Sequence, residues 1–308
     1  MNLPAGQKLR RLGAERFSSS RSASARAQVP SDVGRVGDLF YAFERRGRRT
    51  CLTGSRCSTP WHFIPPMELD ESGCVYTLLV NPSGGLVGGD VLTLKGEIGR
   101  EAHVLFSTPS ANRIYRSLGE EAIQHVELHV ASGGIVEWMP ECTIPFAGSR
   151  FRQTIHVSLE PGATALVWDA VASGRIARGE RWQFESFANE IRIEPAGGTS
   201  VIERYELQAG QGRRGIGLAG EWNYVASLFV IGDGISPDRR DGLENRIADY
   251  LVEQKGNVLG GVSSLASGGL AVKILTRAAP DLASVQQELW RMIRQDLWGV
   301  SAVALRKY

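Results

Sequence analysis

Four carboxylates in this chain of 308 residues stand among apolar or glycine neighbours. Asp90 closes the loop Asn81-Pro82-Ser83-Gly84-Gly85-Leu86-Val87-Gly88-Gly89-Asp90. Glu141 follows Met139-Pro140, Asp169 follows Trp168, and Glu180 ends Gly174-Arg175-Ile176-Ala177-Arg178-Gly179-Glu180. A carboxylate taken out of water needs a partner, and Arg113, Arg116, Arg175 and Arg178 are available. Two chemistries fit this pattern. One is structural ion pairing. The other is transient coordination of a divalent cation by spaced oxygens lining a passage, where an incomplete ligand set is expected because a closed set would retain the ion.

Other chemistries fit less well. The glycine loop lacks the Lys-Ser/Thr of a phosphate-binding loop, and a strand rather than a helix follows it. No Gly-x-Ser-x-Gly elbow is present for a serine nucleophile. Among the five histidines, His125 and His129 alternate with Glu127 on one strand face. They lie about 13 Å apart along a strand and cannot share one ion directly, so a solvated polar face is the simpler reading. His62, His103 and His156 are isolated. The four cysteines, Cys51, Cys57, Cys74 and Cys142, form no C-x-x-C pair, which points away from zinc or a disulfide framework and toward a reducing cytoplasm. A net charge of +2 gives no drive toward nucleic acid, and no apolar run is long enough to span a membrane.

The elements that position these residues are mostly strands. Gly37 to Glu44 reads as a first strand, followed by the basic turn Arg45 to Arg49; Trp61 to Pro66, with paired prolines, is an extended loop. Val75 to Val80 and Val91 to Leu94 flank the glycine loop. Glycine turns at 99–102, 132–134, 161–163 and 195–198 then recur at a spacing of roughly 30 residues. Each precedes a short apolar strand: His103 to Phe106, Ile135 to Trp138, Thr164 to Trp168 and Ser200 to Tyr205. In Phe151 to Leu159, Phe151, Gln153, Ile155, Val157 and Leu159 share one face. A repeated strand pair predicts a mainly β, layered and helically stacked body. Helical spacing predicts two α-helices near the C-terminus, over 241–255 and 281–298 with Asp281 as N-cap, and Val258 to Gly261 and Leu270 to Thr276 read as strands between them. Residues 1–33 are basic, serine-rich and poor in acids, the composition of a disordered or processed extension, and 34–308 read as a single domain.

Taken in order, these segments resemble the urease accessory protein family UreD, also called UreH. The glycine loop resembles the family's signature loop. Phe43 to Thr50, Ser110 to Ser117, Trp138 to Phe146, Trp168 to Glu180 and the closing Leu305-Arg306-Lys307-Tyr308 resemble further family motifs. Glu141-Cys142-Thr143 departs from a common Gln-Glu-Thr, and Asn112-Arg113 from Thr-Lys; moving an acid by one position on a strand reverses its face. The resemblance implies a non-enzymatic maturation factor that binds apo-urease and UreF, and through UreF the GTPase UreG. It implies nickel delivery through a water-filled tunnel, with no tightly bound cofactor and only transient Ni2+. On that basis Asp90, Glu141 and Glu180 are expected as conduit carboxylates, with Asn81, Gly84, Gly85, Gly88 and Gly89 shaping the wall. Arg113, Tyr115, Arg116, Asp169, Arg175 and Arg178 are expected to fix or counter them. Trp290 and Trp298 are read either as exposed apolar positions touching UreF or as packed against the β body. The alternatives are a scaffold that opens apo-urease without carrying metal, and an independent metal-dependent hydrolase.

Overall fold

Alternation decides which side of each strand faces inward. Arg150–Leu159 buries Phe151, Gln153, Ile155, Val157 and Leu159 and turns the intervening residues outward. Thr164–Ala172 is buried on both faces, as expected of a strand covered from two sides. The computed structural model describes residues 35–208, 220–254 and 256–302. The N-terminal extension and the closing Leu305–Tyr308 lie outside them.

Two sheets stack face to face. In the seven-stranded sheet, Val36–Arg46, Val91–Ile98, Ala122–Val130, Arg150–Leu159 and Ser186–Glu194 run parallel in that order. Antiparallel strands Arg49–Cys57 and Val201–Gln208 close its two edges. In the second sheet, Val75–Leu78, His103–Ser107, Ile135–Trp138 and Thr164–Ala172 are parallel, and Tyr224–Gly232, Gly269–Thr276 and Val258–Ser264 continue it antiparallel. The chain passes back and forth between the sheets, so each stretch of about 30 residues forms one coil of a stack.

Each of the middle coils carries a third, short strand. Gly85–Leu86, Asn112–Ile114 and Thr143–Pro145 form their own parallel ladder, which meets Thr164–Ala172 at Val171. Strands of two or three residues have no periodicity to read, so the strand pair per unit expected from sequence becomes three. The turn at 195–198 also differs from the others, since it makes a hairpin within one sheet.

Helix α1 (Pro237–Glu253) and helix α2 (Ala279–Trp298) cover the outer face of the second sheet. Helix α1 begins before the expected 241, because Ser236 caps it and Pro237 occupies its first turn. Asp281 is not the N-cap of α2: Ala278 is, and Asp281 sits in the first turn, where its charge complements the helix dipole. Two cores result. One, with Leu39, Phe43, Leu94, Phe106, Val126, Trp138 and Ile155, fills the space between the sheets. The other, with Trp168, Leu228, Ile247, Leu289 and Trp290, lies under the helices. Trp290 is therefore core rather than exposed, and Trp298 is half-buried with its ring 5.1 Å from that of His103.

Candidate functional site

The inward face of the parallel sheet is not wholly apolar. In register, Gln124 pairs with Gln153, Gln153 with Asn189, and Asn189 with Tyr205. These residues form a row along the stack, one per strand, about 4.8 Å per step. Across the interior the second sheet supplies Asp169, then Ser227, then Lys273, again in register. Glu203 accepts from the Ser227 hydroxyl at 2.9 Å and forms an ion pair with Lys273. A line of polar side chains thus runs from the core between the sheets, at Gln153, Asp169, Asn189 and Ser227, out to the exposed Lys273.

Cavities lie at both ends of this line. The first, of about 70 Å³, is lined by Asn81, Gly84, Gly85, Asn112, Gln124, Glu141, Thr143, Gln153 and Asp169, among others. The second, of about 460 Å³, is walled by Trp182, Phe184, Tyr205, Leu207 and Val225, with Glu203, Gln208, Ser227 and Lys273 among its polar groups. Five of the residues expected from sequence, Asn81, Gly84, Gly85, Glu141 and Asp169, therefore meet at one cavity.

Asp169 is the most perturbed of these. Burial pushes its carboxyl up to about 6, opposed by hydrogen bonds from Gln153 and Asn189. Nearby Glu203 raises it further and Lys273 lowers it. Burial likewise pushes the neighbouring Cys142 thiol up to about 12, with Glu141 and Asp169 adding to the effect. At neutral pH that thiol is a neutral packing group rather than a thiolate ligand.

The other expected residues stand around the loops. Asp90 is buried; its Oδ1 accepts from the Arg35 backbone N–H at 3.0 Å and its Oδ2 from that of Val87 at 2.9 Å. Glu180 is bound by Arg175, whose Nε lies 2.7 Å from Oε2, and accepts from the Ala147 N–H at 3.2 Å. The Arg175 guanidinium holds the Glu180 carboxyl below its ordinary range, with Arg178 a smaller contributor, and itself stacks 4.2 Å over Phe146. Asn81 folds the glycine loop on itself, donating to Gly85 O and accepting from Ser83 N. Arg113 donates to Gly84 O and Tyr115 to Ser83 O, each at 3.4 Å. Arg116 lies against Gly148.

All four glycines of the loop are sterically required. A Cβ on Gly85 would stand 2.1 Å from the Arg113 carbonyl oxygen, and Gly84 adopts φ +69°. Gly89 also lies at positive φ, and a Cβ on Gly88 would meet Glu120 O at 2.6 Å. None of this loop opens a helix; the strand Val91–Ile98 follows.

Sequence reading missed a further cluster. Glu137 is fully buried beneath α2. It is hydrogen-bonded to His103 Nε2 at 2.6 Å, accepts from Trp290 Nε1, and lies 3.4 Å from Arg294 Nε. Cys74 joins His103 and Glu137 in an arrangement with metal-ligand proximity. The donor set argues for a latch instead. A cation here would stand beside a buried guanidinium, and both Glu137 oxygens already receive donors. The signal was an acid inside Ile135-Val136-Glu137-Trp138. The histidines of the outer face are engaged locally: His125 with Thr154 at 2.7 Å and His129 with Ser158 at 3.0 Å.

Fold and site together define a class: a stacked-β scaffold with a polar line through its interior. The sequence model described as UreD urease accessory protein matches residues 35–307. The chain is similar to the urease accessory protein UreD of Cupriavidus necator, 32% identical over 273 residues, covering 87% of this chain and 92% of the relative. It is likewise 32% identical over 285 residues to UreD of Deinococcus radiodurans, covering 91% and 98%. The chain belongs to the UreD family of urease accessory proteins. All four cysteines are free, and no described helix is long and apolar enough to cross a membrane.

Proposed function

We propose that this protein is a non-catalytic scaffold that conducts nickel during urease maturation in the cytoplasm. In this reading it binds apo-urease and UreF, and through UreF the GTPase UreG. The observation that carries the conduit is the polar line, buried at Gln153, Asp169, Asn189 and Ser227, with a cavity at each end. A folded core tolerates such a line only where the groups satisfy one another or serve a passing ligand. Glu141 and Asp169 are the carboxylates of the first cavity and take the ion-facing role. Asp90 holds the glycine loop that frames it, through the backbone amides of Arg35 and Val87, while Glu180 ties the Arg175 segment to the Ala147 amide. Weak oxygen sites pass an ion along; a tight closed set would retain it.

The test is co-expression with apo-urease and its maturation partners. Ala111→Trp fills the first cavity from its lining loop, and Glu141→Ala removes a carboxylate. Each is expected to keep its partners in a pulldown while the nickel content and activity of urease fall at least about tenfold. Soluble variants that both load nickel like the wild type would overturn the conduit and leave a scaffold that carries no metal.

A further inference from the structure

A closed ring of three side chains interrupts the polar line. Gln153 Nε2 donates to Asp169 Oδ1 at 2.9 Å and to Asn189 Oδ1 at 3.0 Å, while Asn189 Nδ2 donates to Asp169 Oδ2 at 3.0 Å. All three residues are buried. Gln153 and Asp169 line the first cavity. The in-register neighbours of Asn189 and Asp169, which are Tyr205 and Ser227, line the second. The ring therefore stands as the partition between the two.

Its chemistry is reversible in a specific way. An ionised carboxylate requires donors, so both amides turn their nitrogen toward Asp169. The terminal torsions of Gln and Asn are soft and two-fold, so a half-turn exchanges each amide nitrogen for its oxygen. Three oxygens would then face one point, which is repulsive when that point is empty. With a divalent cation present they become a carboxylate and two carbonyl ligands. Resting on the conduit reading, we propose that Gln153, Asp169 and Asn189 form a gate, closed by amide donation to Asp169 and opened when a divalent cation turns the amide oxygens inward.

The surroundings suit this role. Glu203, from the opposite sheet, and Lys273, two strands along in the same sheet, act on Asp169 as an ion pair, and their effects oppose one another. Glu141 lines the approach from the first cavity.

The test uses the full chain and Ni2+ as the probe. Gln153→Glu replaces a closing donor with a second carboxylate and is expected to bind Ni2+ at least about tenfold tighter than wild type in equilibrium dialysis. Asp169→Asn, nearly isosteric, is expected to bind more weakly. Both should deliver at least about tenfold less nickel to apo-urease, the first by trapping and the second by loss of the ligand. Asn189→Asp serves in place of Gln153→Glu if that variant fails to fold. Unchanged Ni2+ affinity in the acidic variants, or wild-type delivery by the ring variants, overturns the gate. Ala111→Trp separates the two ideas: if it blocks delivery while the ring variants behave as wild type, the gate alone fails; if it does not block, the conduit fails with it.

Discussion

Replacing Glu137 with Gln removes one charge from a site with no access to water and changes the side-chain shape little. The carboxylate is 0% exposed and Arg294 is 1% exposed, so solvent cannot compensate either group. Breaking a buried ion pair by removing one partner costs about 3–5 kcal/mol, because the remaining charge is stranded. The lower end applies here. Arg294 Nη1 still donates to Ser301 O at 3.0 Å and lies 3.6 Å from Asp70 Oδ2. Glu137→Gln is therefore expected to lower the unfolding free energy by about 3 kcal/mol. Urea titration of the full chain reads this as a lower midpoint at unchanged slope. Arg294→Gln should cost a similar amount. The double variant should cost less than the sum of the two by about 1–3 kcal/mol, because each single change strands the other partner. A loss below about 1 kcal/mol, or strictly additive costs, would refute the view that this ion pair fastens α2 to the β body.

Three further outcomes follow from the same geometry. Gly85→Ala should lower the thermal midpoint and, since the Arg113 strand must move, reduce soluble yield; an unchanged melting curve would contradict the close approach at that loop. Asp169 has a folded-state pKa of about 6, raised from 3.8, so its protonated form favours the folded state. Stability should rise as pH falls from about 7 to 4, by up to about 3 kcal/mol relative to Asp169→Asn, and urea titrations at both pH values test this. Dialysis of the purified chain against EDTA should shift its thermal midpoint by less than about 1 °C, since only weak metal sites are assigned; a larger shift would reveal a structural ion.

The layered β body was legible because its long strands alternate cleanly and its glycine turns recur at nearly equal intervals. The short ladder of Gly85–Leu86, Asn112–Ile114 and Thr143–Pro145 was not, since backbone pairing between coils creates it and no local pattern announces it. The site was half legible. Glu141 and Asp169 stood out as acids in apolar contexts. Gln153 lay in plain view on the apolar face of Phe151 to Leu159, where a polar residue signals a buried network. Asn189, Glu203 and Lys273 meet it only through strand register, which sequence does not specify. For Trp290, surface contact and packing on the β body stayed open, because helical spacing gives a face but not which neighbour covers it. Its indole bond to Glu137 comes from residues 153 positions apart.

The stack also sets a length. Each coil adds one strand to both sheets, so the distance between the two cavities is counted in whole coils of about 4.8 Å. Antiparallel strands Arg49–Cys57 and Val201–Gln208 end the seven-stranded sheet at either side, with outward charges such as Arg56 and Arg204 along them. They stop the count and discourage another copy from extending it. The protein is thereby a ruler with a fixed number of divisions. Inserting or deleting one coil would change its reach by a single step without altering the chemistry of the rest.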